Sequence, residues 1–204
     1  MIKPLRIAIQ FLTILPVKVR HPEEKDFGRA LFYFPLTGCL LGALLGGLAA
    51  ALHFLPPMVA AAILTVASVG LTGGIHLDGF ADTCDGLYGG KNKDRALEIM
   101  RDSRIGVMGA AGVVLLLLLK FSVFSSFPSG ELWKLLIVSA AFSRWAQSFA
   151  CAFFNYAREE GKALNFIHHA READIVLGLI IVLAPAFFFW RLQGVLLVVV
   201  SFLP

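Results

Sequence analysis

Residues 106–127 read GVMGAAGVVLLLLLKFSVFSSF, a stretch holding one charge, Lys120, and a run of five leucines. About 20 consecutive apolar residues make a helix long enough to cross the hydrocarbon core of a bilayer. The composition agrees with that reading. Of 204 residues, 58% are hydrophobic and 16% charged, against about 25% charged in soluble domains. The mean hydropathy is +0.78. The expected fold is an all-α, polytopic integral membrane protein forming a single membrane domain over residues 1–204.

Working outward, the other long apolar runs fall at 30–54, 58–74, 132–154 and 175–190, which gives about five full transmembrane helices. A last run, 194–204, is half a span and reads as a partial sixth. Residues 1–20 begin basic and hold an apolar run too short to span. No small-residue cleavage pattern follows it, so an interfacial helix rather than a signal peptide is expected. In the first span Gly38, Gly42, Gly46 and Gly47 form a small-residue ridge suited to close helix packing. Its partner is a neighbour within the chain or another subunit of a homo-oligomer; the sequence leaves both open. Cys39, Cys84 and Cys151 have no CxxC spacing, so neither a disulfide framework nor a zinc site follows.

The Lys and Arg residues collect in alternate connections: six before the first span, none at Pro56-Pro57, five in the segment after the second run, few near Pro128, and three in 155–174. Read with the positive-inside rule, this places the N-terminus, the segment 73–106 and the loop 155–174 in the cytoplasm, with the chain in the cytoplasmic membrane. The net charge of +4 is spread over these short clusters, which argues for topology rather than nucleic-acid binding.

Chemistry concentrates in GGIHLDGFADTCDGLYGGKNKDRALEIMRDSRIG, residues 73–106, with six of the fourteen acidic residues of the chain. Asp78, Asp82 and Asp85 stand at i, i+4 and i+7, one face of a helix. Three adjacent carboxylates repel one another unless a hard cation lies between them, and oxygen-only ligands suit Mg²⁺ or Mn²⁺. Solvated acids paired with Lys91, Lys93 and Arg95 are the plainer alternative. Arg101 and Arg104 offer guanidinium forks to phosphate oxygens, or serve as interfacial anchors. Lys120 and Arg144 lie inside spans, where a charge ordinarily faces a protein interior or cavity. Carboxylates, arginines and a membrane face together suggest phosphoryl transfer involving a diphosphate.

These same residues carry a resemblance. GGIHLDGFADTCDGLYGG followed by RALEIMRDSRIGVMGAAG is similar to the signature region of the membrane-bound adenosylcobinamide-GDP ribazoletransferase (cobalamin-5'-phosphate synthase) family. FLTILPV, FPLTGCLLG, SRW and NYAREEG, the last spanning Asn155 to Gly161, also resemble it in the same order. The family's usual C-terminal glycine-rich stretch, acids and last span are not found here, so a chain that ends early is expected. The resemblance implies a Mg²⁺-dependent transfer of cobinamide phosphate from adenosylcobinamide-GDP to α-ribazole or its 5'-phosphate, with release of GMP. Within it, Asp78, Asp82 and Asp85 are expected to hold Mg²⁺, and Asp82 or His76 to take the acceptor's proton. Lys91, Arg95, Arg101, Arg104, Arg144 and Arg158 are expected on phosphate. The competing class is a proton- or cation-coupled transporter with a carboxylate-lined site. A carrier would place acids near mid-span and show an internal repeat, whereas these acids follow the end of an apolar run and no repeat is found.

Overall fold

A computed structural model describes residues 2–157, 160–161 and 163–202, with no strand among them. Its helices are α1 (Ile2–Leu12), α2 (Glu24–Ala30), α3 (Phe34–Ala51), α4 (Pro57–Gly70), α5 (Ile75–Gly89), α6 (Lys93–Ile99), α7 (Val107–Ser126), α8 (Ser129–Phe153), α9 (Leu164–His168) and α10 (Glu172–Val200). Four stretches are long and apolar enough to cross a membrane: Glu24–Ala51, Val107–Ser126, Gly130–Phe153 and Glu172–Val200. The pair α4–α5 makes a fifth only as a span bent by 85°. The chain is an all-helical, multi-pass membrane protein. Accordingly Leu115 and Leu119 on α7 and Leu177 and Phe188 on α10 stay exposed, at 52–74%, as side chains bathed in lipid rather than water do.

One run differs from its sequence reading. The expected span 58–74 is a 14-residue helix, α4, about 21 Å long and too short to cross alone. Gly73 and Gly74 end it with φ of 61° and 72°, a left-handed pair that glycine adopts without a Cβ clash. Beyond them α5 sets off at nearly a right angle. The runs 175–190 and 194–204 lie in α10 as two helical segments parted at Trp190 (φ −130°, ψ 15°) and Arg191 (φ 55°, ψ −140°), where the sequence divides them. The chain doubles back there. Gly194 rests on the Ala186 backbone where no Cβ would fit. The Phe202 ring lies 5.3 Å from Trp145, whose indole N–H donates to the Ile175 carbonyl at 3.0 Å.

The packing forms two compact units, Met1–Ala51 with Ser129–Pro204, and Leu52–Pro128. In the first, α3 and α8 lie side by side because the glycine ridge removes the side chains between them. Gly38 sits on Ala140 and Ala141, Gly42 on Leu136 and Ile137, and Gly46 on Trp133, while Gly47 faces open space. The partner of the ridge is therefore a helix of the same chain. The amphipathic α1 turns Ile7, Ala8 and Leu12 into the core, and Arg6 secures the following segment by donating to the Lys18 carbonyl at 2.7 Å. In α9, Phe166 is buried among Phe11, Phe27 and Phe34 at ring separations of 4.7, 5.4 and 5.6 Å. Removing one such ring from water stabilises the fold by about 2 kcal/mol, enough to tie the polar loop to the core. In the second unit, α4 and α5 both pack on α7. Lys120 of α7 donates to Ser68 Oγ of α4 at 2.9 Å, which gives a charge within an apolar helix pair a polar partner.

Candidate active site on the aspartate helix

No proline interrupts 75–89, and Asp78 in the first turn of helix α5 favours the positive end of the helix dipole. At about 100° per residue, Asp78, Asp82 and Asp85 occupy one flank, as the spacing predicted. Asp78 is exposed, and Asp82 and Asp85 are half-buried. His76 is about 200° round from Asp78 and about 120° from Asp82, so the helix does not bring it to the aspartate flank.

The three carboxylates have different surroundings. Asp85 Oδ2 accepts from the Gly106 N–H and Oδ1 from the Gly109 N–H, each at 2.7 Å. Those amides begin α7, and its N-cap residue, Gly106, has no side chain to cap it. An aspartate more than twenty positions upstream does the capping instead. The carboxylate lies where a Cβ on Gly106 or Gly109 would stand, while Gly112, one turn on, receives the Cys84 thiol. Cys84 is thereby a packing residue. On the other side of α5, Gly86 and Gly90 pack against Ala96 and Met100, at and just past α6. The glycines of the motif are thus contact points for two neighbouring helices. Gly79 is different, with nothing within 4 Å of where its Cβ would be, so the helix surface one position after Asp78 is open.

The basic residues expected on phosphate differ as much. Arg104 grips Asp102 through Nε at 3.0 Å and Nη2 at 2.6 Å, and the Asp102 carboxylate also accepts from the Arg104 N–H at 3.0 Å. Hydrogen bonds from Arg104 hold the Asp102 carboxyl down to about 2, and the same pairing raises the guanidinium. Arg95 pairs with Glu98 at 2.6 Å, and its N–H is taken by Asn92, the cap of α6, at 2.9 Å. Lys91 and Arg101 are exposed. Asp85, Asp102, Arg104 and Gly106 line one cavity of about 550 Å³, so the clasp and the arginine turn share a wall. In the other unit, Arg144 donates from Nη1 to Ser143 Oγ at 2.8 Å, and its buried Nε has no hydrogen-bond partner among the described residues. Arg158 lies outside the described residues.

Among the described residues no three His, Cys, Asp or Glu side chains converge closely enough to hold an ion. Asp85 turns both of its oxygens to backbone amides. Asp78 and Asp82 stand one helical turn apart on the same flank. The capping role of Asp85 was missed in the sequence. The signal for it was the glycine start of 106–127, a helix beginning with no Ser, Thr, Asp or Asn at its head.

Fold and site together define a polytopic helical membrane protein with an aspartate-bearing helix set across the end of an apolar one, beside an arginine-rich turn. The chain matches the family model described as cobalamin-5-phosphate synthase over residues 4–204, and it belongs to that family. Curated relatives include the adenosylcobinamide-GDP ribazoletransferases of Desulforamulus reducens, 34% identical over 99% of this chain and 82% of the relative, and of Acetivibrio thermocellus, 35% over 96% and 80%. That of Pseudomonas paraeruginosa is 37% identical over 98% of this chain and 82% of its own. No solved structure matches the chain.

Proposed function

We propose that this chain transfers the cobinamide-phosphate moiety of adenosylcobinamide-GDP to α-ribazole or its 5'-phosphate, giving adenosylcobalamin or its phosphate and releasing GMP. Family membership and the relatives' shared name support the reaction class. The observation that carries the reading in this chain is the Asp78–Asp82 pair, on a helix clasped by Asp85 beside the arginine turn.

Mg²⁺ fits this donor set. It is commonly held by one or two carboxylates, with waters and substrate phosphates completing its shell. Asp78 is the residue that would hold it, with Asp85 kept as the clasp and Asp82 assigned to the proton. Held there, the ion would supply charge neutralisation to the diphosphate. Asp82, half-buried on the same flank, takes the proton of the attacking ribose 3'-hydroxyl. The new P–O bond forms at the phosphorus next to cobinamide, and the bridging P–O bond breaks with its electrons passing to GMP. Arg101 and Arg104 stabilise the departing phosphate. Arg104 reaches it by exchanging Asp102 for phosphate, which an exposed pair does at small cost. The basic-residue pattern supports a cytoplasmic-membrane location with the N-terminus and α5 facing the cytoplasm.

The test supplies adenosylcobinamide-GDP, α-ribazole and Mg²⁺ to membranes carrying the chain and follows adenosylcobalamin and GMP. Product lost to a chelator and restored by Mg²⁺ is expected. A folded, inserted chain that releases no GMP would overturn the proposal.

A further inference from the structure

Two of the spanning stretches, Glu24–Ala51 and Glu172–Val200, begin at one cavity of about 720 Å³. Asp26 and Arg29 of the first line it, with Arg171 and Asp174 at the head of the second and Lys3 of α1. All of these residues belong to the same compact unit. A cavity at the mouth of two spans lies at the level of lipid headgroups. We propose that it is a binding site for a phospholipid whose headgroup joins a phosphodiester to a primary ammonium, as phosphatidylethanolamine does.

The wall carries both signs, and burial separates them. Asp26 is 6% exposed and the Asp174 side chain 20%, whereas the Arg171 and Lys3 side chains are 61% and 49% exposed and Arg29 is exposed as well. A ligand therefore meets the cations first and the acids last. Neither set is closely neutralised by the protein. Arg171 stands 3.9 Å from Asp174 and Lys3 4.0 Å from Glu23, while ion pairs elsewhere in the chain close to 2.6 Å. Arg29 makes no ion pair or side-chain hydrogen bond among the described residues. Asp26 commits one oxygen to the Glu23 N–H at 3.1 Å, and its other oxygen accepts from no described residue. A carboxylate so far removed from water is stabilised by a cation that can also donate hydrogen bonds.

That order of charges selects the ligand. A purely anionic headgroup would press its phosphate toward the buried acids, and a simple amine would leave the guanidiniums unmatched. In an ethanolamine headgroup the ammonium is the outer tip, and a short ethylene link joins it to the phosphate nearer the acyl chains. Entering tip first, the ammonium reaches Asp26 and Asp174, and the phosphate stays with Arg29, Arg171 and Lys3, where guanidiniums grip it in bidentate fashion. A primary ammonium brings three N–H donors to the two acids. A quaternary ammonium brings none and is ordinarily held in a cage of ring faces. The rings in this wall, Phe32 and Tyr33, are neighbours in the single turn Leu31–Tyr33 and stand edge-on at 5.0 Å, so they enclose no such cage. Ile2 and Pro4 supply further apolar wall for the glycerol end of the lipid. The volume falls within the range usual for small-molecule sites, roughly 300–1,000 Å³.

The site depends on the membrane fold and not on the transfer reaction, so the two stand or fall separately. The test places the purified full chain in nanodiscs of equal parts phosphatidylethanolamine, phosphatidylcholine and phosphatidylglycerol, then identifies the lipids it retains on release by native mass spectrometry. Phosphatidylethanolamine should be retained about 10-fold over phosphatidylcholine, the equivalent of one charge-assisted hydrogen bond. Its N-methyl and N,N-dimethyl forms should fall between, because each methyl removes a donor. Asp174→Asn should erase most of that preference, and so should Asp26→Asn, which keeps an oxygen for the Glu23 N–H. Arg29→Gln and Arg171→Gln should instead lower retention of every phospholipid, with unchanged thermal melting as the folding control. Equal retention of the ethanolamine and choline lipids, or phosphatidylglycerol retained above both, overturns the proposal. So does retention indifferent to all four substitutions in variants that melt normally.

Discussion

Replacing Asp85 by alanine removes both acceptors from the start of α7. The bond to Gly109 is partly buried and the bond to Gly106 is exposed. Hydrogen bonds to a charged group contribute about 1.5–3 kcal/mol each when water is kept away, and less where it can substitute. Taking about 1.5–2 kcal/mol at Gly109 and about 0.5 at Gly106, the variant is expected to lose about 2 kcal/mol, within the range for a lost helix cap. Hydrogen exchange in detergent is the direct assay: the Gly106 and Gly109 amides should exchange about 30-fold faster, the equivalent of 2 kcal/mol in local opening, while those of α8 stay as they were. Asp85→Asn, which keeps one acceptor oxygen, should fall between. The Mg²⁺ concentration needed for half-maximal activity should change little in Asp85→Asn and rise in Asp78→Asn. Unaltered exchange at both glycines, or a Mg²⁺ requirement raised as far by Asp85→Asn as by Asp78→Asn, would refute the assignment of Asp85 as a clasp.

Asp82→Asn should cut turnover at least ~100-fold at saturating Mg²⁺, and full turnover would remove Asp82 as the base. Gly42→Leu places a side chain against the backbone of Leu136 and Ile137 and should lower the melting free energy by about 3 kcal/mol; Gly47→Ala, facing open space, should be neutral or slightly stabilising. Asp102 titrates near 2 because Arg104 holds it there. A carboxylate lowered in the folded state contributes its share above the ordinary unfolded value of about 3.9 and loses it as pH falls through about 2. The pair should therefore be intact at every pH above about 5, and in Arg104→Gln the Asp102 carboxyl, followed by ¹³C NMR, should titrate closer to the ordinary value. Arg191→Gly should stabilise by about 1 kcal/mol in thermal melts, because φ 55° with ψ −140° strains any residue with a Cβ.

The apolar runs were legible because lipid demands a long uninterrupted stretch, and the aspartate flank because four-residue spacing has one geometric meaning on a helix. What escaped the sequence was set by partners far along the chain or by local turns. Asp85 reads as one of three equivalent acids until its partners, 21 and 24 residues away, are known. The ridge Gly38–Gly42–Gly46 announces a close neighbour without saying which helix it is. Arg191 and Gln193 divide two apolar runs in the sequence, but with neither glycine nor proline at Trp190–Arg191 the reversal of direction there was not legible. The Gly73-Gly74 turn was visible as a dipeptide, but its left-handed geometry, and hence the right-angle exit of α5, depended on a choice that glycine leaves free.

That exit makes α5 a lever pivoting on two glycines. A 15-residue helix is about 22 Å long. A tilt of about 5° at the pivot therefore carries Asp78, about 5 Å out, by less than 0.5 Å, Asp82 by about 1 Å and Asp85 by about 1.4 Å. Since catalytic groups need placement to within about 0.5 Å, the arm is useful only when its outer end is also fastened, as Asp85 fastens it. Loosening that end swings Asp82 further than Asp78. Damage to the fastening should therefore fall harder on proton transfer than on metal affinity, although the altered residue touches neither.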